Sequence, residues 1–461
     1  MTTTAQKIKS VLISDIQGLV EQKLQELFAS CGTEQSISRI IIDIKEIDII
    51  GWFQNQEVAQ KLFWSDRDNK FSIAAIHFAD MIQNGDDQRH PDLFATIQNR
   101  LTESDSSVRY FGGIKFDTAS TISDPWKNFG TAAFVLPRFE LIKRKDTYQF
   151  VCNLNFPADK DNQKIIEEQL SQLVFSPEKN KTYKNEITNR SDYPKRDQWM
   201  SRVENSLAAM NEDQYEKIVL ARKTELTFQE NICPALVMKN VIENTSNCFH
   251  FCFQLDPTNA FVGATPERLY YRSDKVLKCE AVAGTRSRGE DERHDISLAD
   301  ELLRSKKDIK EHRYVIDSIL EALADYVKEK KEQNEGNVLL VKLAKVQHLI
   351  KRFKFTLEDE ITDFDLVNGL HPTAAVGGYP KKNIMEKISE LENFDRGWYA
   401  APIGWISKDT SEFAVAIRSG LIDKNKMILY SGAGIIDGSI PESEWDEIEN
   451  KISNFLKILN S

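Results

Sequence analysis

The sequence has no apolar run long enough to cross a membrane as a helix. Its longest such stretches, IIIDI at 40–44 and AAFVLP at 132–137, fall far short of the roughly 18–20 residues a bilayer requires. It also lacks an excess of basic residues. The 60 Lys plus Arg against 71 Asp plus Glu give a formal net charge of −11, which excludes a general nucleic-acid binder, since that needs a basic surface to neutralise phosphates. Glycine and proline are sparse, 20 and 13 in 461 residues, so collagen-like and low-complexity chains are excluded. No C-x-x-C pair, G-x-G-x-x-G or P-loop motif, or internal repeat is present. The N-terminus, MTTTAQKIKSVLISDIQGLVEQKLQELF, has no uninterrupted apolar core followed by a small-residue cleavage site. Its apolar residues recur at helical spacing, which predicts an amphipathic helix and no signal peptide.

What is there suits a large packed core under a charged surface: 41% hydrophobic and 28% charged residues. Of the six cysteines, only Cys248 and Cys252 are close, on one face of the strand-like run CFHFCFQL with His250 between them. Buried thiols in a reduced cytoplasmic protein are the expectation, ahead of a metal site.

Residues 1–175 mix helical periodicity with strand-like runs: SRIIIDIKEIDIIGWF, KFSIAAIHFA, RYFGGIKF, TAAFVLPRFELIKR and TYQFVCNLNF. Residues 176–197 are polar, carry two prolines and read as an exposed connection. From 198 the order is helix (QWMSRVENSLAAMN), strand (KIVLARKTELTF), helix (PALVMKNVIEN) and a strand meander through VLKCEAVAG. Leu302 to Val327 keep three- and four-residue spacing, which predicts one long helix over about 298–331, and a final helix begins near 442. Strands in runs with flanking helices argue for α+β with mainly antiparallel sheets.

Several residues are candidates for chemistry. On the final helix Glu444, Glu447 and Lys451 form one stripe beside the apolar face; a solvated Glu447–Lys451 pair is the plain alternative to a site. Glu311 lies one turn before Val315, again beside an apolar stripe, and two carboxylates on separate helices suit a sparse Mg²⁺ site. Lys217 shares a strand face with Val219 and Ala221; a lysine held among small apolar neighbours is a candidate general base, and an edge-strand lysine reaching solvent is the alternative. Glu267 follows Pro266 at a strand end, a position suited to a site carboxylate. AVAGTRSRG and YSGAGIIDG end apolar strands with small residues whose N–H groups can approach a carboxylate. Arg418, within an apolar strand-like run, is expected to be buried and therefore to need an anion.

The motifs KIVLARK, FVGATPERL, CEAVAGTRSRG, SKKDIKEH, HPTAAVGGYP, RGWYAAPIGWI, FAVAIRSG, SGAGI and PESEWDEIENK occur in this order. Together they resemble the chorismate-utilising enzymes, most closely the isochorismate synthases of menaquinone type. The likeness is dense over 200–461 and looser upstream, where RYFGGIKF, Trp126, Phe129 and FVLPRFEL also fit. It implies an α+β fold of the anthranilate-synthase component I type, with two large packed antiparallel sheets and outer helices. Residues 1–175 would then complete the fold and 198–461 form the chorismate-binding catalytic core. It implies Mg²⁺ held by Glu311 and Glu447 with Glu444 beside them, Lys217 as the base that activates water, and Glu267 as the acid that protonates the departing C4 hydroxyl. It implies substrate binding by Tyr399, Arg418, Lys451 and the backbone at Gly284, Thr285, Gly432, Ala433 and Gly434, with His371 at the ring pocket.

Within that group, the ammonia-using members resemble one another in a non-basic residue, often Gln, where this chain has Lys217, and the aminodeoxychorismate-forming ones often place a lysine where this chain has Ala283. No L-L-E-S stretch appears in the first 100 residues. Water is therefore the expected nucleophile, without a glutamine amidotransferase, a nucleic acid or a membrane as partner, in a monomer or weak homodimer. Salicylate synthases, which go on to eliminate pyruvate, share the base and both metal carboxylates and are the alternative; a non-catalytic chorismate-binding protein is a further one, disfavoured because base, acid and both metal carboxylates are present.

Overall fold

The computed structural model describes residues 6–11, 15–30, 35–84, 90–175, 185–332, 338–342 and 346–459. Hydrogen bonding links the described strands into one continuous network, antiparallel except for one edge pair, that forks at the strand Ala132–Arg144 into two large sheets. On one side this strand pairs with Phe71–Asn84. On the other, its first residues pair with Tyr110–Ile114 and its last with Thr147–Phe156. The fork lies at Pro137, which has no N–H to give to a ladder; its carbonyl accepts from Asn153 Nδ2 at 2.7 Å.

From the fork, one sheet runs through Pro402–Ile406, Thr410–Val415, Arg268–Ser273, Val276–Ser287 and Val346–Leu357. The other runs from Phe71–Asn84 through Lys61–Ser65, Phe249–Gln254, Asn259–Thr265, Ser419–Asp423 and Lys426–Ile436 to Lys217–Phe228. The chain crosses between the sheets at two short links. Pro266–Glu267 joins Asn259–Thr265 to Arg268–Ser273, and residues 416–418 join Thr410–Val415 to Ser419–Asp423. Three bonds tie the links: Ala264 N to Arg418 O (3.1 Å), Val415 N to Glu267 O (3.0 Å) and Thr265 Oγ1 to Val415 O (2.6 Å).

Burial follows the period of two. In Phe249–Gln254, Phe249, Phe251 and Phe253 enter one apolar cluster, while Cys248 and Cys252 enter the cluster on the opposite face. His250, between them, bonds Ser65 at 2.9 Å and Thr245 at 2.8 Å. This is a satisfied core histidine, and burial pushes its pKa down to about 4. Residues of both 1–175 and 198–461 contribute to each cluster.

Five sequence expectations change. The N-terminal helix is confined to Ile16–Ser30, and Gln6–Val11 before it is a strand parallel to Ser36–Ile44. The run SRIIIDIKEIDIIGWF is a strand only to Ile44; Asp48 then caps the helix Ile49–Asn55 through Ile50 N at 3.1 Å. The helix expected over 298–331 is two, Glu292–Arg304 and Lys306–Ala322. Ser305 separates them and caps the second through Asp308 N at 3.2 Å. Val327 instead begins the strand Val327–Glu332, on Val346–Leu357. The polar connection carries an edge strand, Ile187–Tyr193, on Lys217–Phe228, while 176–184 and Cys31 lie outside the described residues.

The final helix, Pro441–Leu459, is clamped to the sheet by Arg222, whose NH2 donates to Glu449 at 2.8 Å and whose guanidinium covers the Trp445 ring at 4.5 Å. Arg190 donates to Glu449 as well and, with Arg222, holds that carboxyl down at about 2. Glu449→Gln is expected to cost about 1 kcal/mol near neutral pH, a modest value because the pair is one-third exposed and solvent screens it. A depressed folded pKa stabilises above the unfolded value of about 4.5, and that contribution fades as pH falls toward 2. Urea midpoints of wild type and variant should therefore converge over this window.

Candidate active site

Most of the predicted catalytic and binding residues, Lys217, Glu267, Glu311, Glu447 and Arg418 among them, converge on one cavity of about 990 Å³, at the level of the two links between the sheets. Lys217, first residue of Lys217–Phe228, is 1% exposed in its side chain and does not reach solvent as an edge lysine would. Its Nζ lies 3.0 Å from Glu311 Oε1. Burial pushes the Glu311 carboxyl up, but the charge and hydrogen bond of Lys217, with Lys451 and Lys307, outweigh it and keep the group ionised. Gly434 on the facing strand makes room for this pair, since a Cβ there would lie 2.8 Å from Glu311 Oε1 and 3.0 Å from Lys217 Cε.

Glu267, on the first link, is half-buried and lines the cavity. Burial pushes its carboxyl up to about 7; Lys217 and Lys451 act against that and Glu280 adds to it. The protonated and ionised forms are thus both populated near neutrality, as a proton donor requires. No hydrogen bond holds its carboxyl among the described residues.

Arg418, on the second link, is exposed toward the cavity and not buried in a strand as expected; it sits at the bend between Thr410–Val415 and Ser419–Asp423, with φ +50°. A non-glycine residue in that region is strained, and such strain concentrates at functional sites. No carboxylate pairs with it among the described residues, so its guanidinium is available to an anion. Tyr399 stacks on Tyr430 at 5.1 Å and 15°, and a Cβ on Gly432 would come 3.3 Å from its hydroxyl. Gly284 forms a bulge at φ +72° between Ala283 and Thr285 and lines the cavity.

On the final helix, Lys451 Nζ donates to Gly432 O and to Glu447 Oε1, both at 2.7 Å. The expected i, i+4 pair thus exists, at the cavity wall. Glu444 is buried and accepts from Lys307 at 3.1 Å; burial pushes its carboxyl up, and Glu447 beside it adds to the rise. Among the described residues no three His, Cys, Asp or Glu side chains converge as a closed metal cage. A hard dication still fits. Glu311 is ionised, Glu444 and Glu447 crowd one helix face, and Mg²⁺ commonly takes one or two carboxylates and completes its shell with water and substrate oxygens.

Two predicted residues are placed elsewhere. His371 does not line the cavity; its Nε2 lies 2.8 Å from Phe116 O and its ring packs edge-on against Phe116. Ala433 is buried on the opposite face of its strand from Gly432 and Gly434. The backbone of Thr285 follows Gly284 at the bulge and pairs with His348. Sequence reasoning missed Arg67, Lys307, His348 and Arg396, all at the cavity. Arg396 is a structural member: it bonds Glu392, Val219 O and Val376 O and so fixes the strand that carries Lys217. Lys307 stands beside Asp308 in SKKDIKEH, where an N-terminal helix lysine facing Glu444 had only its motif as signal.

Residues 22–460 match the family model described as chorismate binding enzyme. The chain is 30% identical over 441 residues to the isochorismate synthase MenF of Bacillus subtilis, covering 92% of this chain and 93% of that one. Its fold matches the solved structure of MenF, the menaquinone-specific isochorismate synthase from Escherichia coli, with TM-score 0.82 and 26% identity over 96% of this chain and 99% of that one. It also matches anthranilate synthase component I from Streptococcus pneumoniae, with TM-score 0.69 and 20% identity over 84% and 92%. The chain therefore belongs to the chorismate binding enzymes.

Proposed function

We propose that this chain is an isochorismate synthase, converting chorismate reversibly to isochorismate. The observation that carries the reading is a lysine and a carboxyl near half-protonation, on different elements of one cavity wall, beside an arginine that no carboxylate pairs with among the described residues. Lys217 takes a proton from water as its oxygen bonds to C2. The ring double bonds shift, the C4–oxygen bond breaks, and Glu267 gives the departing hydroxyl its proton. One water enters and one leaves, so the reaction is an isomerisation. Arg418, Tyr399, Lys451 and the backbone at Gly284, Thr285, Gly432 and Gly434 hold the substrate's carboxylates, which supplies local positive charge on an acidic protein.

Glu311 and Glu447, with Glu444 adjacent, would hold Mg²⁺, which supplies charge neutralisation at a substrate carboxylate. The solved structure described as menaquinone-specific supports placing the product on that route. The five described cysteines are free, in keeping with a reducing cytoplasm. No described helix is long and apolar enough to cross a membrane.

Purified protein incubated with chorismate and Mg²⁺ is expected to yield isochorismate, with no aminated product when ammonium is added. Salicylate and pyruvate as products would overturn the reading in favour of elimination. Glu311→Gln and Glu447→Gln should each lose Mg²⁺-dependent turnover and weaken Mg²⁺ binding by calorimetry, with unchanged circular dichroism, because each keeps the side-chain shape and removes one charge from a hard-cation site. Near-normal activity at low Mg²⁺ would show the ligand set to be wrong.

A further inference from the structure

The link that carries Glu267 is held from the far end of the sequence. Arg67 lies in the turn between the strands Lys61–Ser65 and Phe71–Asn84 and lines the cavity. Its NH1 donates to Pro266 O at 3.1 Å, and NH1 and NH2 donate to the two oxygens of Glu280 at 2.8 Å each. Glu280 is 8% exposed and also draws Arg268 at 3.3 Å and Arg352 at 3.7 Å. Arg268 in turn donates to Glu412 at 2.9 Å. Pro266 has no N–H, so its carbonyl is its only backbone hydrogen-bonding group, and Arg67 holds it. With no hydrogen bond on the Glu267 carboxyl among the described residues, the backbone of this link decides where that carboxyl points.

We propose that Arg67 is a positioning residue for Glu267: through its two-pronged contact with Glu280 and its bond to Pro266 it fixes the Pro266–Glu267 link at the cavity wall. The N-terminal region thereby contributes to the active site and not only to the completion of the fold. The inference rests on the reading of Glu267 as the acid.

Geometry predicts the kinetics. A link freed by Arg67→Gln lets the carboxyl wander from the departing hydroxyl, and small misplacements of reacting groups are costly, so kcat should fall about tenfold or more while KM for chorismate stays within about threefold. Lysine keeps the charge without the planar fork, so Arg67→Lys should keep the pH profile of wild type and recover only part of kcat.

Charge predicts a second signature. The charged groups acting on Glu267 are Lys217 from its strand, Lys451 from the final helix and Glu280 from Val276–Ser287; Arg67, Arg268 and Arg352 compensate Glu280. Glu280→Gln removes a negative neighbour and makes Glu267 easier to ionise. Arg67→Gln leaves Glu280 less compensated and makes Glu267 harder to ionise. The alkaline fall of kcat/KM should therefore move to lower pH in Glu280→Gln and to higher pH in Arg67→Gln.

The experiment compares wild type, Arg67→Gln, Arg67→Lys and Glu280→Gln by chorismate kinetics across pH. Alongside, difference infrared titration of the Glu267 carboxyl in the ligand-free proteins, with Glu267→Gln as the blank, needs no turnover. Shifts of opposite sign, with the loss confined to kcat, support the proposal. Wild-type kcat in Arg67→Gln, full recovery of kcat in Arg67→Lys, or shifts of the same sign overturn it. If Arg67→Gln does not fold, Arg67→Lys and Glu280→Gln decide alone: partial kcat with the wild-type pH profile in the first and a shift to lower pH in the second support the proposal, and full kcat in the first or a shift to higher pH in the second overturns it. Wild type that makes no isochorismate overturns the proposed function, and the infrared titration still decides whether Arg67 and Glu280 set the state of Glu267.

Discussion

Lys217→Gln is expected to slow isochorismate formation by about 10³-fold, within the range that a positioned general base supplies, and at the same time to bind Mg²⁺ more tightly than wild type. The two effects have one cause. In the ligand-free protein Lys217 is paired with Glu311 at 3.0 Å, so its nitrogen is directed at that carboxylate and not at a water in the cavity. The role of base proposed for it requires that this bridge be given up, and Glu311 is one of the two carboxylates proposed to hold the metal. Lysine and dication thus compete for one oxygen pair. Glutamine occupies a similar volume beside Gly434 and can still donate to Glu311, but it brings no charge, so the competition ends. Chorismate turnover and calorimetric Mg²⁺ titration on the same preparation separate the possibilities. Loss of both turnover and metal affinity would make Lys217 a structural support for Glu311. Retained turnover would pass the role of base to Glu267 or to a bound water.

Much of this arrangement was legible in the sequence because the strands that carry it obey the period of two without interruption. Lys217, Val219 and Ala221 share a face as expected, and Gly432 and Gly434 lie opposite Ala221 and Val219 in register. The final helix placed Glu444, Glu447 and Lys451 as their spacing required. What failed did so for identifiable reasons. Apolar periodicity runs on through Ser305, so one helix was read where a capping serine makes two. The serine and Asp308 three residues on were the available signal. The strand Val327–Glu332 has the composition VKEKKE, which no propensity separates from helix. Arg418 was read from apolar neighbours as buried, but its positive φ turns the chain from one sheet to the other and brings the side chain out to the cavity. His371 shares a motif with cavity residues, and motif membership says nothing about which way a side chain turns. Arg67 was invisible because its contacts span about 200 positions, and nothing local to SDRD announces them.

Glu267→Gln is expected to lose turnover by about 10³-fold or more, since glutamine keeps the shape but has no acidic proton to give the departing hydroxyl. Chorismate binding should change little, because the role proposed for the residue is toward the leaving group and not the carboxylates. The substitution should also stabilise the protein, in a way that depends on pH. Burial raises the folded pKa of Glu267 from 4.5 to about 7. Below pH 4.5 the carboxyl is protonated in both folded and unfolded chains, and it has no effect on stability. Between about 4.5 and 7 the unfolded chain has released the proton while the folded chain retains it, so folding is progressively disfavoured as pH rises; above 7 the penalty is constant. Glutamine has no such penalty. Melting curves of wild type and Glu267→Gln should therefore start with a fixed separation at pH 4, part as pH climbs to 7 with the variant gaining, and run parallel beyond. This is the expected cost of keeping a carboxyl ready to donate at neutral pH in an enclosed site. A variant that is inactive but shows no gain in stability over this window would mean that Glu267 is not held in its protonated form, and the assignment of acid would fall even though the activity had been lost.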